Sequence, residues 1–143
     1  FLFLLMAVFY ACNGPQQSDQ AEAEDNTHQE VSNTAPAGTP KATLIEPGDL
    51  EQLKHVESNL QLIDVRTPEE VAQGAIEGAT NINFRASDFQ EKILALDKEQ
   101  PVLVYCKSGG RSGKTADLLV KQGFTKVYDL DGGYTAFVSE TED

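Results

Sequence analysis

The sequence has no tryptophan, two cysteines, two histidines and fewer than half as many basic as acidic residues. Two cysteines and two histidines cannot complete a four-ligand zinc site without carboxylates or a second chain, and they cannot build a disulfide framework. Eleven basic against 23 acidic residues give a net charge of −12, which repels nucleic-acid phosphates and anionic membrane surfaces. We therefore expect no nucleic-acid partner, and a chain of 143 residues has room for one domain.

The longest hydrophobic run stands at the start, where residues 1–11 are all apolar or aromatic. This run is shorter than the roughly 20 residues of a membrane-spanning helix and resembles the core of an incomplete signal peptide. Ala11 directly before Cys12 resembles the lipobox of bacterial lipoproteins, in which the cysteine is lipidated. We predict a signal over residues 1–12 and a lipid-anchored protein of the cell envelope, periplasmic or exported. Ordinary secretion with an incidental cysteine is the alternative.

A polar, acidic stretch follows over residues 13–40. It contains five acidic residues, no lysine or arginine, no phenylalanine, tyrosine or tryptophan, and Val31 as its one large aliphatic side chain. Such a composition cannot bury a core, and its charge keeps it extended. We predict a disordered linker here and a folded unit over residues 41–143.

Hydrophobic runs of strand length recur across the folded unit. They are bounded by polar and glycine-containing segments, as strands are. The predicted strands cover residues 42–45, 60–64, 81–84, 101–105 and 126–130.

Helix signals fall between these runs. Hydrophobic spacing predicts a helix over 50–56, and residues 67–70 form a capping box with proline at the first helical position. Ser87 predicts the start of a third helix, and a longer one covers 112–122 and stops at Gly123. Strands and helices that alternate in this way predict an α/β fold: a five-stranded, mostly parallel sheet with helices on both faces. Sites in such sheets lie beyond the carboxyl ends of the strands.

One predicted strand ends in Cys106, and a glycine-rich turn leads from it into a helix. Small residues let the backbone curl so that several N–H groups point at one spot, and the helix terminus adds its positive field. Lys107, Arg111 and Lys114 are cationic, and residues 100–116 contain no acidic residue. This environment predicts a lowered thiol pKa and a nucleophilic thiolate. A buried, inert cysteine that closes a strand is the alternative.

Residues 106–111, Cys-Lys-Ser-Gly-Gly-Arg, resemble the active-site loop of single-domain rhodaneses, the thiosulfate sulfurtransferases. Three further segments resemble signatures of the same family: residues 62–70, 78–82 and 131–134. The resemblance covers nearly all of the folded unit. It implies a rhodanese-like fold.

The resemblance also implies a two-step sulfur transfer. The Cys106 thiolate attacks the outer sulfur of thiosulfate or another sulfane-sulfur donor, and the resulting persulfide passes its sulfur to cyanide, a thiol or a protein acceptor. The loop residues that would bind the substrate are Lys107, Ser108, Gly109, Gly110 and Arg111. No metal or cofactor is implied, and we expect a monomer that touches the membrane only through its lipid anchor.

Two charged residues after the second predicted strand, Asp64 and Arg66, have two interpretations. They position the active site, or they form a buried hydrogen-bonded support with a neighbouring ion pair. We predict the second role.

Other functions remain possible for this loop. Cysteine-dependent phosphatases and arsenate reductases use a similar thiolate cradle, but place five residues between cysteine and arginine, whereas four intervene here. A nucleotide-binding loop would need glycine at the position of Ser108. A non-catalytic rhodanese-like binding module, or a sulfur carrier, is the remaining alternative.

Overall fold

The computed structural model describes residues 41–141. The predicted signal, linker and Cys12 lie outside these residues. The elements run in the order β1 (Thr43–Ile45), a 3-10 turn (Pro47–Asp49), α1 (Leu50–Val56), β2 (Gln61–Asp64), α2 (Pro68–Val71), β3 (Thr80–Asn81), α3 (Phe89–Leu94), β4 (Val102–Tyr105), α4 (Gly110–Lys121), β5 (Val127–Leu130) and α5 (Gly133–Thr141). Within the described part of the chain, no helix is both long and apolar enough to cross a membrane.

The five strands form one sheet in the order β1-β5-β4-β2-β3, and every neighbouring pair is parallel. The prediction of a five-stranded parallel sheet is thus confirmed. β4 lies at the centre and its residues are all buried, as expected for a parallel strand covered on both faces. In the register between β2 and β4, Asp64 lies opposite Tyr105. The carboxyl ends of these two strands therefore meet at the same edge of the sheet.

Side chains of β4 alternate between two hydrophobic clusters, one on each face of the sheet. Val102 and Val104 pack in the cluster that also contains residues of α3 and α4. Leu103 and Tyr105 pack in the other cluster, which contains residues of α1 and α5. Helices therefore cover both faces, as the alternation of elements predicts. Cys106, the next residue after β4, belongs to the α4 face.

Four strands, β1, β2, β4 and β5, begin one residue later than the sequence predicts, and three other elements differ more. α3 begins at Phe89, and Asp88 precedes it without a side-chain cap, so Ser87 does not open this helix. α4 begins at Gly110, two residues before the predicted Ser112. β3 covers only Thr80–Asn81 because the chain turns at Asn83, whose side chain accepts a hydrogen bond from the backbone N–H of Arg85 (3.0 Å).

The capping box and the helix stop lie where the sequence predicts them. The Thr67 hydroxyl accepts from the Glu70 N–H at 3.4 Å, and the Glu70 carboxylate accepts from the Thr67 N–H at 3.0 Å. Gly123 follows α4 with a φ of +88°, a left-handed conformation suited to glycine. These local signals give α2 and α4 defined ends.

Candidate active site

The loop after β4 holds the candidate nucleophile. Cys106 follows β4 directly, and the chain then turns through Gly109 into α4. Gly109 is the N-cap of α4 and has a φ of +95°, which glycine adopts without the strain that a side chain would cause. This turn brings the Gly109 N–H to 3.1 Å from Cys106 Sγ, to which it donates a hydrogen bond. The sulfur therefore lies beside the first turn of α4.

Burial and hydrogen bonding act in opposite directions on the Cys106 thiol. The residue is 1% exposed, and burial by itself raises the pKa of the thiol. The backbone N–H groups of Ser112, Ser108 and Arg111, with the Ser112 hydroxyl, favour the thiolate and bring its pKa below the ordinary value. Backbone dipoles are thus the main stabilisers of the sulfur's negative charge.

The amino end of α5 supports this loop by binding its carbonyl groups. The Tyr134 N–H donates to the Cys106 carbonyl at 2.8 Å, and the Thr135 N–H donates to the Lys107 carbonyl at 3.0 Å. With these two carbonyl oxygens held by α5, the following N–H groups are available to the sulfur. The loop conformation therefore depends on an element that follows it by more than 20 residues.

Close approach of α5 to the loop requires glycine at residue 133. A Cβ at Gly133 would lie 2.5 Å from the Cys106 carbonyl oxygen, and the residue has a φ of +61°. Just before it, the Asp131 carboxylate accepts a hydrogen bond from the Gly132 N–H at 3.0 Å. The role of Gly133 against Cys106 is missed. Its signal is a pair of glycines directly after a strand.

A second residue that sequence reasoning missed is Glu70. Arg111 Nη1 donates to Glu70 Oε2 at 2.7 Å, and Nη2 donates to Oε1 at 2.8 Å, so the two side chains form a bidentate ion pair. The Arg111 guanidinium lowers the pKa of the Glu70 carboxyl to about 2. The loop has no acidic residue in sequence, but in space it has a carboxylate beside it.

Asp64 and Arg66 pair with each other at the end of β2. Arg66 Nη2 donates to Asp64 Oδ2 at 2.6 Å, and the side chains are 3% and 1% exposed, respectively. The guanidinium also donates to the Gly74 carbonyl at 2.7 Å and lies over the Tyr134 ring, 4.0 Å from its centre. This network joins β2, the turn after α2, and α5. The geometry is that of a support beneath the site.

The remaining site residues predicted from the sequence lie along the same loop. Lys107 and Ser108 are exposed, and Gly110 is the first residue of α4. Across residues 41–141, no group of three or more histidine, cysteine or acidic side chains is placed to hold an ion. Asp129 at the end of β5 is buried, which raises the pKa of its carboxyl, and its Oδ1 has no hydrogen-bond partner among the described residues.

Comparison with known proteins gives the family. Residues 46–140 match the model of the rhodanese-like domain. The thiosulfate sulfurtransferase GlpE of Pseudomonas aeruginosa is 38% identical over 91 residues, which are 63% of this chain and 78% of that protein. A sulfurtransferase of Allochromatium vinosum is 32% identical over 93 residues, which are 65% of this chain and 85% of that protein.

The solved structures agree with this match. The crystal structure of a rhodanese-related protein from Thermoplasma volcanium aligns with a TM-score of 0.60 at 28% identity and covers 68% of this chain and 92% of that one. The structural alignment and the sheet order identify the fold. The match over residues 46–140 identifies the family. The chain belongs to the rhodanese-like domain family.

Proposed function

We propose that this protein is a sulfurtransferase that carries a sulfane sulfur on Cys106. Its relatives include sulfurtransferases of the same domain family. The observation that carries the proposal is the hydrogen bond from the Gly109 N–H to Cys106 Sγ at 3.1 Å. The N–H groups of Ser108, Arg111 and Ser112 lower the thiol pKa, and a thiolate is the form of cysteine that attacks sulfur.

In the first step, the Cys106 thiolate attacks the outer sulfur of thiosulfate. A new S–S bond forms to Cys106, the S–S bond of thiosulfate breaks, and sulfite leaves with the bonding electron pair. In the second step, a thiophilic acceptor such as cyanide or a thiolate takes the outer sulfur of the persulfide, and the Cys106 thiolate returns. Neither step needs a general base once the thiol is ionised, and the amides that lower its pKa favour that form.

The loop amides can stabilise both anions of this cycle, the Cys106 thiolate and its persulfide. The outer sulfur of the persulfide is anionic, and N–H groups that stabilise the thiolate can stabilise it as an oxyanion hole stabilises developing charge. Lys107 is exposed and is the loop cation available to attract an anionic donor. Because Cys106 is 1% exposed, a donor reaches Sγ only after a local change that uncovers the sulfur.

The test is incubation with thiosulfate followed by intact mass measurement. We expect a gain of one sulfur atom, about 32 Da, that cyanide removes as thiocyanate. Incubation with an aryl phosphate under the same conditions serves as the control for phosphatase chemistry. No mass gain with thiosulfate or a hydropersulfide would contradict the proposal, and release of phosphate would favour the phosphatase alternative.

A location in the cell envelope is a separate proposal, which depends on residues 1–12 alone. The hydrophobic run before Cys12 supports it. Mass spectrometry of the mature protein should find a lipidated Cys12 at the amino terminus. An unmodified Cys12 would contradict lipidation.

A further inference from the structure

The ion pair between Glu70 and Arg111 bears on the choice of sulfur donor. Both terminal nitrogens of Arg111 already bind the Glu70 carboxylate, at 2.7 Å and 2.8 Å. Two parallel N–H···O bonds of this kind occupy the Nη1–Nη2 edge of the guanidinium, one of the edges by which it binds an oxyanion. A doubly charged donor that needed this edge would have to displace a carboxylate of the same chain.

Glu70 is held in place from two sides. Its carboxylate also accepts the Thr67 N–H at 3.0 Å, as part of the capping box of α2. Its pKa of about 2 keeps it ionised throughout the physiological pH range. The Arg111 and Glu70 side chains are 19% and 26% exposed, so water screens this pair less than it screens a fully exposed one. The pair is therefore a lasting feature of the loop.

The charge balance around Cys106 follows from this pair. Arg111 and Glu70 together carry no net charge. Lys107 and Lys114 are exposed, and within residues 41–141 neither forms a salt bridge, so their attraction is screened by solvent. The site stabilises a negative sulfur chiefly through backbone N–H groups. Because these groups converge on one atom, they suit a single negative charge located on that sulfur.

We propose that Glu70 is a specificity-determining residue: by occupying Arg111, it favours sulfane-sulfur donors with a single negative charge over the thiosulfate dianion. This inference rests on the proposed function and names the donor class for the same site. With a thiosulfonate anion, the Cys106 thiolate bonds to the terminal sulfur, the S–S bond of the donor breaks, and a sulfinate leaves with the electron pair. No proton or redox partner is required.

Two donors that differ by one charge allow a direct test. Methanethiosulfonate has a methyl group where thiosulfate has an anionic oxygen, so both undergo the same attack. The ratio of kcat/KM for the two donors is measured with cyanide as acceptor, in the unaltered protein and in Glu70→Gln. Glutamine keeps the capping-box hydrogen bond and removes the charge. Glu57→Gln is the matched control, because Glu57 pairs with Lys126 at 2.9 Å on another part of the domain.

We expect Glu70→Gln to raise the thiosulfate-to-methanethiosulfonate ratio about tenfold, since one negative charge beside the loop is removed. Glu57→Gln should leave the ratio within about twofold, and Glu70→Asp, which retains the charge, should keep it near the original value. A ratio that does not change in Glu70→Gln, with both donors active, would overturn the inference.

A measurement on the unaltered protein covers the case in which Glu70→Gln does not fold. Sulfate and methanesulfonate are unreactive analogues with two charges and one. We expect methanesulfonate to inhibit sulfur transfer at least as strongly as sulfate. Stronger inhibition by sulfate, by about tenfold or more, would overturn the inference. If neither donor adds sulfur to Cys106 in the mass measurement, the proposed function itself fails, which separates the two results.

Discussion

The ends of β2 and β4 lie side by side, and each buries an ionisable acidic group. Asp64 ends β2, and Cys106 follows β4 directly, one residue beyond the residue opposite Asp64. Both residues are 1% exposed. The Asp64 carboxylate is compensated by the Arg66 guanidinium, whereas the Cys106 sulfur is compensated by backbone N–H groups. At one edge of the sheet, two buried acidic groups are thus stabilised in different ways.

The two ways have different consequences for chemistry. Removal of a buried carboxylate that pairs with a guanidinium leaves a buried cation unpaired, so its loss destabilises the fold. A sulfur that accepts hydrogen bonds from amides keeps its nucleophilic lone pairs, and in the proposed cycle the same amides stabilise the persulfide. We propose a structural role for the end of β2 and sulfur chemistry for the end of β4.

The largest effect should come from Cys106→Ser. An alcohol is not ionised at neutral pH, so sulfur transfer should fall by roughly a thousandfold or more. The hydroxyl is close in size to the thiol, and the midpoint of thermal unfolding should change little. Steady-state transfer to cyanide and circular dichroism measure the two quantities. Turnover retained in this variant would show that the sulfur chemistry is elsewhere.

Asp64→Asn should act on stability instead. It leaves Arg66 buried without its anion, and we expect a loss of about 3–5 kcal/mol in the free energy of unfolding. Urea denaturation measures the change, and the folded fraction should still form the persulfide. Asp88→Asn is the control, because Asp88 pairs with Lys92 on the surface and such pairs contribute about 0–1 kcal/mol. Equal losses in both variants would remove the distinction between the two strand ends.

Gly133→Ala should disturb the loop through its support. The new Cβ would meet the Cys106 carbonyl oxygen at 2.5 Å, so α5 or the loop has to shift, at an expected cost of about 1–3 kcal/mol. Gly123→Ala is a matched control, since Gly123 also has a positive φ but no atom within 4 Å of an added Cβ. Persulfide formation per folded molecule should fall in the first variant and persist in the second. If both keep it, α5 does not set the loop conformation.

The pH dependence of thiol alkylation should be the subtlest readout. The pKa of Cys106 is lowered in the folded protein, so as pH rises the thiolate forms earlier than in the unfolded chain, whose thiol ionises near about 8.5. The rate of reaction with iodoacetamide should therefore reach half its maximum at a lower pH in the native protein than in urea. Comparing midpoints removes the effect of burial on the absolute rate. Coincident midpoints would contradict amide stabilisation.

Much of the fold follows from patterns that act over a few residues. The hydrophobic runs locate all five strands, and the capping box over residues 67–70 defines the start of α2. Boundaries were predicted less well where a turn competes with a strand, as at Asn83, whose side chain binds the next turn and shortens β3. The site loop was located because cysteine, glycines and cations occur together in a single segment.

The sequence by itself determined what nearest neighbours control: the alternating elements, the left-handed turn at Gly109 and the placement of Cys106 after a strand. Only the tertiary structure decided which groups surround that sulfur. Glu70 forms an ion pair with Arg111, 41 residues later in the sequence. Gly133 packs against the carbonyl of Cys106, although α4 and β5 separate the two residues along the chain. The reason is physical: backbone conformation depends on adjacent residues, whereas charge compensation and close contact depend on how distant elements pack.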